Sequence, residues 1–438
     1  MNTSILRIVK RILIISSTIV VVFSCSKLEL VSRLEREIDS YGPIKSSDLP
    51  EPEPSIAYYN SDKDAIAMGA RMHAGVYGED TSVEFPMFLI VTDIHGNAAD
   101  RNFKALERAF DYAREKDFVE TVLCLGDIGD DSHYLVGYDW ADKVLACGKP
   151  VLTVPGNHEF VYHTGQTEYL GLTDSELFEK LYSDTLVINN GEIHGGVDHK
   201  KNYWYKDISK TGYDNVTRKI RIIGLYQYEL SEPDEDGNSV SRYKASGLYT
   251  QEQVEWFISV LDSVEENMYV LVLTHSPVIG LQPRIVENPF SPTIIGWPSK
   301  SYQMAESNRD FLSQVVNAWV TGVNGTFTDS FSYGDAVSVT TNFKAAHHKQ
   351  FICFICGHAH TDFVVKHSEY NLCQVMLNCT AVDQNQQASD IPRQYSGKTM
   401  DCVTLFTYDW FDNQVRLIRL GSDVTIDMRE RKYSSIKL

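Results

Sequence analysis

Eight polar side chains able to bind metal or transfer a proton follow five separate apolar segments of this sequence. Each apolar run closed by a turn signal predicts a strand buried on both faces. Open α/β sheets bind their ligands at the carboxyl ends of such strands. One Asp-x-His pair would indicate little, but five strand ends of this kind indicate a shared site. The residues are Asp93, His95, Asp127, Asn157, His158, His275, His358 and His360.

The composition of this set indicates the chemistry. Oxygen and imidazole ligands without thiolates suit Mn, Fe or Zn. Two cations about 3.5–4 Å apart need a bridging carboxylate, and Asp127 is the natural bridge. Such a pair can act as a Lewis acid and can activate a bound water as a nucleophile. Taken alone, Asp127 could be a helix cap and His275 a core histidine. The five-fold recurrence favours the metal site.

The elements that must position these residues follow from the hydrophobic pattern. A helix with an apolar face follows the first strand. From there strands and helices alternate along the chain, and this alternation predicts a parallel α/β arrangement with right-handed crossovers. Residues 219–226 predict a further strand and 251–262 an amphipathic helix. The end of the chain predicts a hairpin that turns at Asp412–Asn413. The face of the first helix is formed by Phe103, Leu106, Phe110 and Ala113.

Two long segments, 160–215 and 278–349, have weak patterns and are expected to determine the substrate. The second is too long for a simple loop and predicts an inserted lid or subdomain. Residues 26–60 predict a tether, because the prolines of LPEPEP prevent regular structure. The remaining catalytic domain is expected to span residues 61–438.

The first 25 residues have the pattern of an export signal. Basic residues precede an apolar core at 12–23, which is too short for a comfortable membrane span. Val22-Phe23-Ser24-Cys25 resembles a bacterial lipobox, although Phe23 departs from the usual small residue. We therefore expect a lipid on Cys25 and an anchor at the cell envelope, either the outer membrane or the cell surface. Ordinary secretion and an uncleaved anchor are the alternatives, and each exports the protein.

Charge and cysteine content exclude some classes of protein. The chain has 438 residues, a net charge of −19 and a pI of about 5.1, so it lacks the basic surface of a nonspecific nucleic-acid binder. Seven cysteines remain after Cys25, an odd and scattered set that does not predict a disulfide framework. Cys353 and Cys356 are three apart on a predicted strand, so their thiols should point to opposite faces and belong to the core.

Five ordered motifs resemble the signature of the calcineurin-like metallophosphoesterases, over roughly residues 86 to 362. The resemblance implies a four-layer α/β sandwich with two divalent metal ions at the strand ends. The motifs are Asp93-Ile-His95, Gly126-Asp127, Gly156-Asn157-His158-Glu159, His275 and Gly357-His358-Ala-His360.

The resemblance also implies roles for individual residues. His158 would contact the phosphate and protonate the leaving group, and Asp130, at the spacing found in the protein phosphatases, would orient His158. Asp131 could equally be a simple solvated acid. By the same resemblance the first metal is held by Asp93, His95, Asp127 and His360, and the second by Asp127, Asn157, His275 and His358.

The sequence departs from the protein phosphatase branch in one respect. That branch follows its Gly-Asp with a phosphate-clamping Arg, whereas GDIGDD has acids here. Protein phosphatase activity is thus in doubt, and the expected substrate is a small phosphomonoester or a phosphodiester, including nucleotide-like molecules. His133, His163, His194 and His199 could line the pocket or lie on the surface.

Two other classes remain as alternatives to an exported phosphoesterase. A surface binding or assembly protein could keep the fold without turnover, and the 24 tyrosines would suit partner recognition. An unrelated α/β hydrolase is disfavoured, because no G-x-S-x-G elbow stands at any strand end.

Overall fold

The computed structural model of the chain contains two mixed β-sheets and six helices among the residues that it describes. None of these helices is long and apolar enough to span a membrane. The expected signal, Cys25, the tether and residues 61–84 lie outside the described residues. Those are 85–97, 101–159, 172–188, 201–212, 214–228, 249–279, 286–287, 311–329, 336–360, 362–367, 369–380, 401–421 and 433–438.

The first sheet joins strands from residues 87–153 to strands from residues 402–437. Its strands are β1 (Met87–Val91), β2 (Val119–Cys124), β3 (Val151–Thr153), β13 (Cys402–Asp409), β14 (Gln414–Gly421) and β15 (Tyr433–Lys437). Their order is β15–β14–β13–β1–β2–β3. The strands β1, β2 and β3 are parallel, and β13 pairs antiparallel with β1. The carboxyl ends of the three parallel strands therefore share one edge.

The second sheet contains β4 (Trp204–Thr211), β5 (Thr217–Gly224), β6 (Met268–Leu273), β7 (Val286–Glu287), β10 (Phe351–Cys356), β11 (Phe363–Lys366) and β12 (Cys373–Met376). Their order is β4–β5–β6–β10–β12–β11–β7, with β5, β6, β10 and β12 mutually parallel. The ends of β6 and β10 thus lie side by side. A separate hairpin is formed by β8 (Thr326–Asp329) and β9 (Val337–Thr340).

Two core clusters divide the molecule into four layers. The first contains side chains from both sheets and from α1 (Arg101–Glu115), α3 (Trp140–Cys147) and α4 (Asp174–Ile188). The second contains side chains from the second sheet, α5 (Gln251–Asp262), α6 (Phe311–Thr321) and the hairpin. A short helix, α2 (Ser132–Gly137), precedes α3. The order helices, sheet, sheet, helices is the predicted four-layer α/β sandwich.

Alternation of side chains along the central strands builds this arrangement. On β6, Leu271 and Leu273 belong to the first cluster, whereas Val270 and Val272 belong to the second. Apolar side chains on both faces of a strand require cover on both sides. Cys353 and Cys356 are buried free thiols in different clusters, so the predicted placement on opposite faces is confirmed.

The described part of segment 278–349 forms β7, α6 and the β8–β9 hairpin. Strand β7 pairs with β11 at the sheet edge, and α6 supplies Leu312, Val315, Val316 and Trp319 to the second cluster. These parts of the expected insertion are therefore packed into the second sheet and its helix layer. The division of the chain into signal, tether and domain stays a prediction.

Asp329, the last residue of β8, is a buried acid with a distinctive titration. It is 7% exposed, and burial raises its pKa from 3.8 to about 6. The folded state therefore binds more protons than the unfolded state between about pH 4 and pH 6, and stability falls as pH rises through that window.

We expect Asp329→Asn to stabilise the protein by about 1 kcal/mol at pH 8, because the amide removes the buried charge. This advantage should shrink towards pH 4, where the carboxyl of the folded wild-type protein is protonated and carries no charge. Denaturant unfolding of both proteins across this pH range measures the difference. A pH-independent difference would contradict the raised pKa.

Candidate metal centre

The predicted ligand residues of the two sheets converge where the strand ends meet. Asp93, His95, Asp127 and His360 each offer one donor atom, and these atoms lie within 4.8 Å of one another. Asp127, His275 and His358 form a second group within the same limit. Asp127 belongs to both groups, which is the position required of a bridging carboxylate.

Close contacts between imidazole nitrogens characterise both groups. The Nε2 atoms of His95 and His360 are 2.9 Å apart, and Nδ1 of His358 is 3.2 Å from Nε2 of His275. Nε2 of His275 is 3.0 Å from Oδ2 of Asp127. Facing nitrogen lone pairs beside carboxylates need a shared proton or a cation between them.

Asn157 and His158 follow β3 and complete the edge formed by the first sheet. Asn157 is buried, and within the described part of the chain its Oδ1 atom has no hydrogen-bond partner. The backbone N–H of His158 donates to Oδ1 of Asp127 at 2.9 Å. The orphaned amide oxygen beside Asp127 is therefore available to a ligand.

Five of the predicted ligands have left-handed backbone conformations. Such values are uncommon for residues other than glycine and cost roughly 1–3 kcal/mol each, and they cluster at functional sites. The φ angles are 49° for Asp93, 48° for His95, 52° for Asp127, 64° for His358 and 52° for His360.

Backbone hydrogen bonds hold the loops that follow β1 and β2 in this strained form. The N–H groups of Ile94 and His95 both donate to the carbonyl of Asp127, at 2.8 and 2.9 Å. Asp93 N–H donates to the carbonyl of Gly126 at 3.0 Å, and Gly126 has a φ of 91°. The two ligand loops therefore brace each other beyond the ends of their strands.

Glu159 has a positioning role that sequence reasoning did not assign. Its buried carboxylate accepts the backbone N–H groups of Asp127 at 2.8 Å, Ile128 at 2.5 Å and Gly156 at 2.6 Å. The same side chain thus ties the β3 loop to the backbone of Asp127. Its place in the GNHE motif was the available signal.

Thr92 and Thr380 orient Asp93 and were also missed. The hydroxyl of Thr92 donates to Oδ2 of Asp93 at 2.6 Å, and Thr92 N–H donates to Oγ1 of Thr380 at 2.8 Å. His358 N–H donates to Oδ1 of Asp93 at 2.9 Å. Thr380 comes after β12, and no sequence motif marks it.

Asp130 contacts His158 through its backbone carbonyl. Nδ1 of His158 donates to the backbone carbonyl of Asp130 at 2.5 Å. The carboxylate of Asp130 lies 3.5 Å from Nδ1 of His95. Asp130 therefore meets His158 through its main chain, while its side chain faces a predicted metal ligand. Asp131 caps α2, accepting the N–H groups of His133 and Tyr134.

Charges at the centre perturb the pKa values of its groups. Burial opposes ionisation of Asp93, but the neighbouring His360 outweighs it and lowers the pKa to about 2. Burial likewise opposes charging of His275, yet Asp127 raises its pKa to about 9. Burial, reinforced by His275, lowers the pKa of His358 to about 3. The two buried carboxylates thus stay ionised and attract positive charge.

Burial and neighbouring charges also compete in setting the pKa values of His158 and Glu159, at the edge of the centre. Burial opposes a charged His158, but Asp127 and the carbonyl of Asp130 raise its pKa overall. Burial and the charge of Asp127 raise the pKa of Glu159 to about 7, against its hydrogen bonds from the backbone. Of the other histidines considered, His133 is exposed, and His163, His194 and His199 lie outside the described residues.

The donor set fits divalent cations. It offers two ionised carboxylates, several facing imidazole nitrogens and the orphaned oxygen of Asn157. Oxygen and nitrogen donors without sulfur suit Mn, Fe or Zn. The geometry therefore defines a candidate metal-binding cluster on a four-layer α/β sandwich.

This class of fold and site agrees with the sequence comparison. The sequence model of the calcineurin-like phosphoesterases matches residues 86–322, which is more than half of the chain. The chain belongs to the calcineurin-like phosphoesterase family. His358 and His360 lie beyond the matched residues, and their convergence on Asp93 and Asp127 rests on the structure.

Several solved structures are similar to this chain. GAP50, the anchor in the inner membrane complex of Plasmodium, has 10% identity and a TM-score of 0.38, covering 81% of this chain and 90% of its own. Phosphopantetheinyl hydrolase (PptH) from Mycobacterium tuberculosis has 12% identity and a TM-score of 0.33, covering 68% and 91%. The calcineurin-like phosphoesterase YfkN from Bacillus subtilis has 13% identity and a TM-score of 0.35, covering 81% and 90%. No curated protein sequence matches this chain.

We expect Gly357→Ala to disrupt the centre. A Cβ atom at residue 357 would lie 1.9 Å from Oγ1 of Thr92 and 2.3 Å from Oδ2 of Asp93. The variant should bind less metal and lose about 2 kcal/mol of stability, because Asp93 must move. Elemental analysis and denaturant unfolding measure both effects.

Gly137→Ala is the matched control, since a Cβ at residue 137 meets no atom within 4 Å. It should retain wild-type metal content and stability. Full metal binding by Gly357→Ala would show that Asp93 does not need this close approach of the backbone.

Proposed function

We propose that this protein is a metal-dependent phosphoesterase that uses two divalent cations to hydrolyse a phosphomonoester or phosphodiester. One observation carries the proposal: two groups of buried donors share Asp127 in a chain of the phosphoesterase family. The proposed ligands are Asp93, His95, Asp127 and His360 for one cation, and Asp127, Asn157, His275 and His358 for the other. The cations proposed are Mn, Fe or Zn.

The bound cations would supply Lewis acidity towards phosphoryl oxygens and would acidify water at the site. His158 is the residue proposed to contact the phosphate. Because its Nδ1 donates to the carbonyl of Asp130, Nε2 remains for the substrate. From there it can donate a proton to the leaving oxygen.

We propose that Asp130 positions two histidines and does not itself react with the substrate. Its carbonyl fixes the ring of His158, and its carboxylate lies near Nδ1 of His95. A carboxylate beside the free nitrogen of a metal-binding histidine orients the ring and raises its basicity. Asp130 therefore supports both the proton donor and one cation site.

The local charge favours a diester or nucleotide-like substrate over a dianionic monoester. Asp130 and Asp131 stand where a phosphate-clamping Arg would be expected, and Asp131 is committed to capping α2. A second negative charge on the substrate phosphate would be repelled by these acids.

We also propose that the protein acts outside the cytoplasm, anchored to the bacterial envelope by a lipid on Cys25. Support comes from the basic, apolar and lipobox-like segments of residues 1–25. The mass of the mature N-terminal peptide tests this, and an unmodified or uncleaved Cys25 would contradict it.

We expect His158→Asn to lower kcat by about 100-fold or more on alkyl phosphate esters, because the leaving alkoxide needs a proton. The loss should be smaller on p-nitrophenyl esters, whose leaving group is stable without one. Phosphate or alcohol release from monoesters and diesters, with Mn or Zn added, measures this difference. Metal content should be unchanged.

His133→Asn is the control, since His133 is exposed and should leave kcat unchanged. An equal loss for both kinds of leaving group would contradict the role of His158 as proton donor. A metal-loaded wild-type protein that hydrolyses no ester would instead support the binding or assembly protein.

A further inference from the structure

Asp329 is a buried acid for which the described part of the chain provides no counter-charge. The residue is 7% exposed, and its Oδ2 atom has no hydrogen-bond partner among the residues that the structure describes. Burying a carboxylate without a partner is costly. Perturbed, unpaired acids of this kind concentrate at sites that bind ligands.

The hairpin that carries Asp329 lies at the same edge of the second sheet as the metal centre. Helix α5 connects the parallel strands β5 and β6, so its N-terminus lies at the edge where those strands end. The side chain of Gln251, the first residue of α5, donates to the carbonyl of Ser338 at 2.8 Å. Ser338 N–H donates back to Gln251 at 2.9 Å, which fixes β9 and its partner β8 there.

A row of polar side chains begins beside His275 at the same edge of the second sheet. The ring of Tyr228 is 6.2 Å from that of His275, and its hydroxyl is hydrogen-bonded to the hydroxyl of Ser276. Ser276 N–H donates to Oε1 of Gln227 at 2.5 Å. The row leads from the proposed second cation site along the ends of β5 and β6.

Tyr249 lies two residues before Gln251 in the chain. Asp329 pairs across the hairpin with the residue that precedes Ser338. The contact between Gln251 and Ser338 therefore brings Tyr249 and Asp329 into the same region, where Tyr249 is buried with the side chain of Gln227 as a neighbour. Its hydroxyl, like Oδ2 of Asp329, completes no hydrogen bond within the described residues. Two buried polar groups with unused hydrogen-bonding capacity therefore lie at the edge of the second sheet that also carries the metal centre.

The chemistry of this pair favours a particular ligand group. A carboxylate accepts only, and a tyrosine hydroxyl can accept as well, so both can be satisfied by one donor-rich cation. A primary ammonium has three N–H donors and a full charge, whereas a quaternary ammonium has no donor. Burial pushes the pKa of Asp329 up to about 6, so the carboxylate is charged at pH 8.

We propose that Asp329 and Tyr249 form a recognition site for a primary ammonium group on the alcohol part of the phosphoester. The placement of the ester phosphate at the metal centre rests on the proposed function. Asp329 then determines specificity and takes no part in the chemical step.

The test compares matched diesters that share a p-nitrophenol leaving group. One series carries aminoethyl, aminobutyl or aminohexyl groups, and the other carries the propyl, pentyl and heptyl isosteres. Wild-type protein should favour at least one amine over its isostere by about tenfold or more in kcat/KM at pH 8. Asp329→Asn should lose that preference and keep the wild-type rate on the alkyl esters.

Glu252→Gln is the matched control, because it removes an exposed acid from the first turn of α5. It should keep the full preference for the amine. Equal rates on amine and isostere in the wild type, or a preference that survives Asp329→Asn, would overturn the proposal. An equal loss on both series would assign Asp329 a structural role only.

A binding measurement separates this proposal from the proposed function. Aminoalkyl and alkyl phosphates are titrated calorimetrically into metal-loaded His158→Asn protein. The aminoalkyl compounds should bind with about tenfold higher affinity than the alkyl compounds. The double variant that also carries Asp329→Asn should lose this difference. If no diester is hydrolysed, the proposed function is contradicted. The titration still shows whether the protein has a site for the ammonium group. Equal binding of both series would overturn the ammonium site alone.

Discussion

The structure of the centre depends on keeping the ionised carboxylate of Asp127 buried between two sheets. Asp127 is 1% exposed and belongs to both groups of donors. Burial opposes its charge, but His275 and His158 hold its pKa well below the ordinary value. Such a charge is tolerated inside a protein only with compensating cations and donors. His158 N–H donates directly to the carboxylate of Asp127, whereas Glu159 and the β1 loop hold the backbone of residue 127 in position.

The two-sheet architecture follows from the same requirement. The first sheet delivers Asp93, His95, Asp127 and Asn157, and the second delivers His275, His358 and His360. Neither sheet has a complete donor set by itself. The left-handed conformation of five ligands shows how far the backbone departs from its preferred form to bring the donor atoms together.

Much of this arrangement could be predicted from the sequence because the ligands directly follow strands with strong apolar patterns. The strands before Asp93, Asp127, His275 and His358 were predicted, as were α1, α5 and the terminal hairpin. The roles of Thr92 and Thr380 could not be predicted, because they depend on a contact between residues 288 positions apart. Asp130 illustrates a second limit: spacing indicated a residue near His158 but not whether its backbone or its carboxylate makes the contact.

The weakly patterned segments were the other limit. Helix α6 and the β8–β9 hairpin lie in segment 278–349, where apolar residues are interrupted by Pro, Gly and Asn. Their packing against α5 is set by tertiary contacts such as that between Gln251 and Ser338. The unpaired state of Asp329 is visible only once that packing is known.

The most direct test of the shared site is the anomalous diffraction of crystals grown with Mn. We expect two anomalous peaks about 3.5–4 Å apart, with Asp127 in contact with both. A single peak, or peaks that do not contact Asp127, would contradict the proposed two-cation centre.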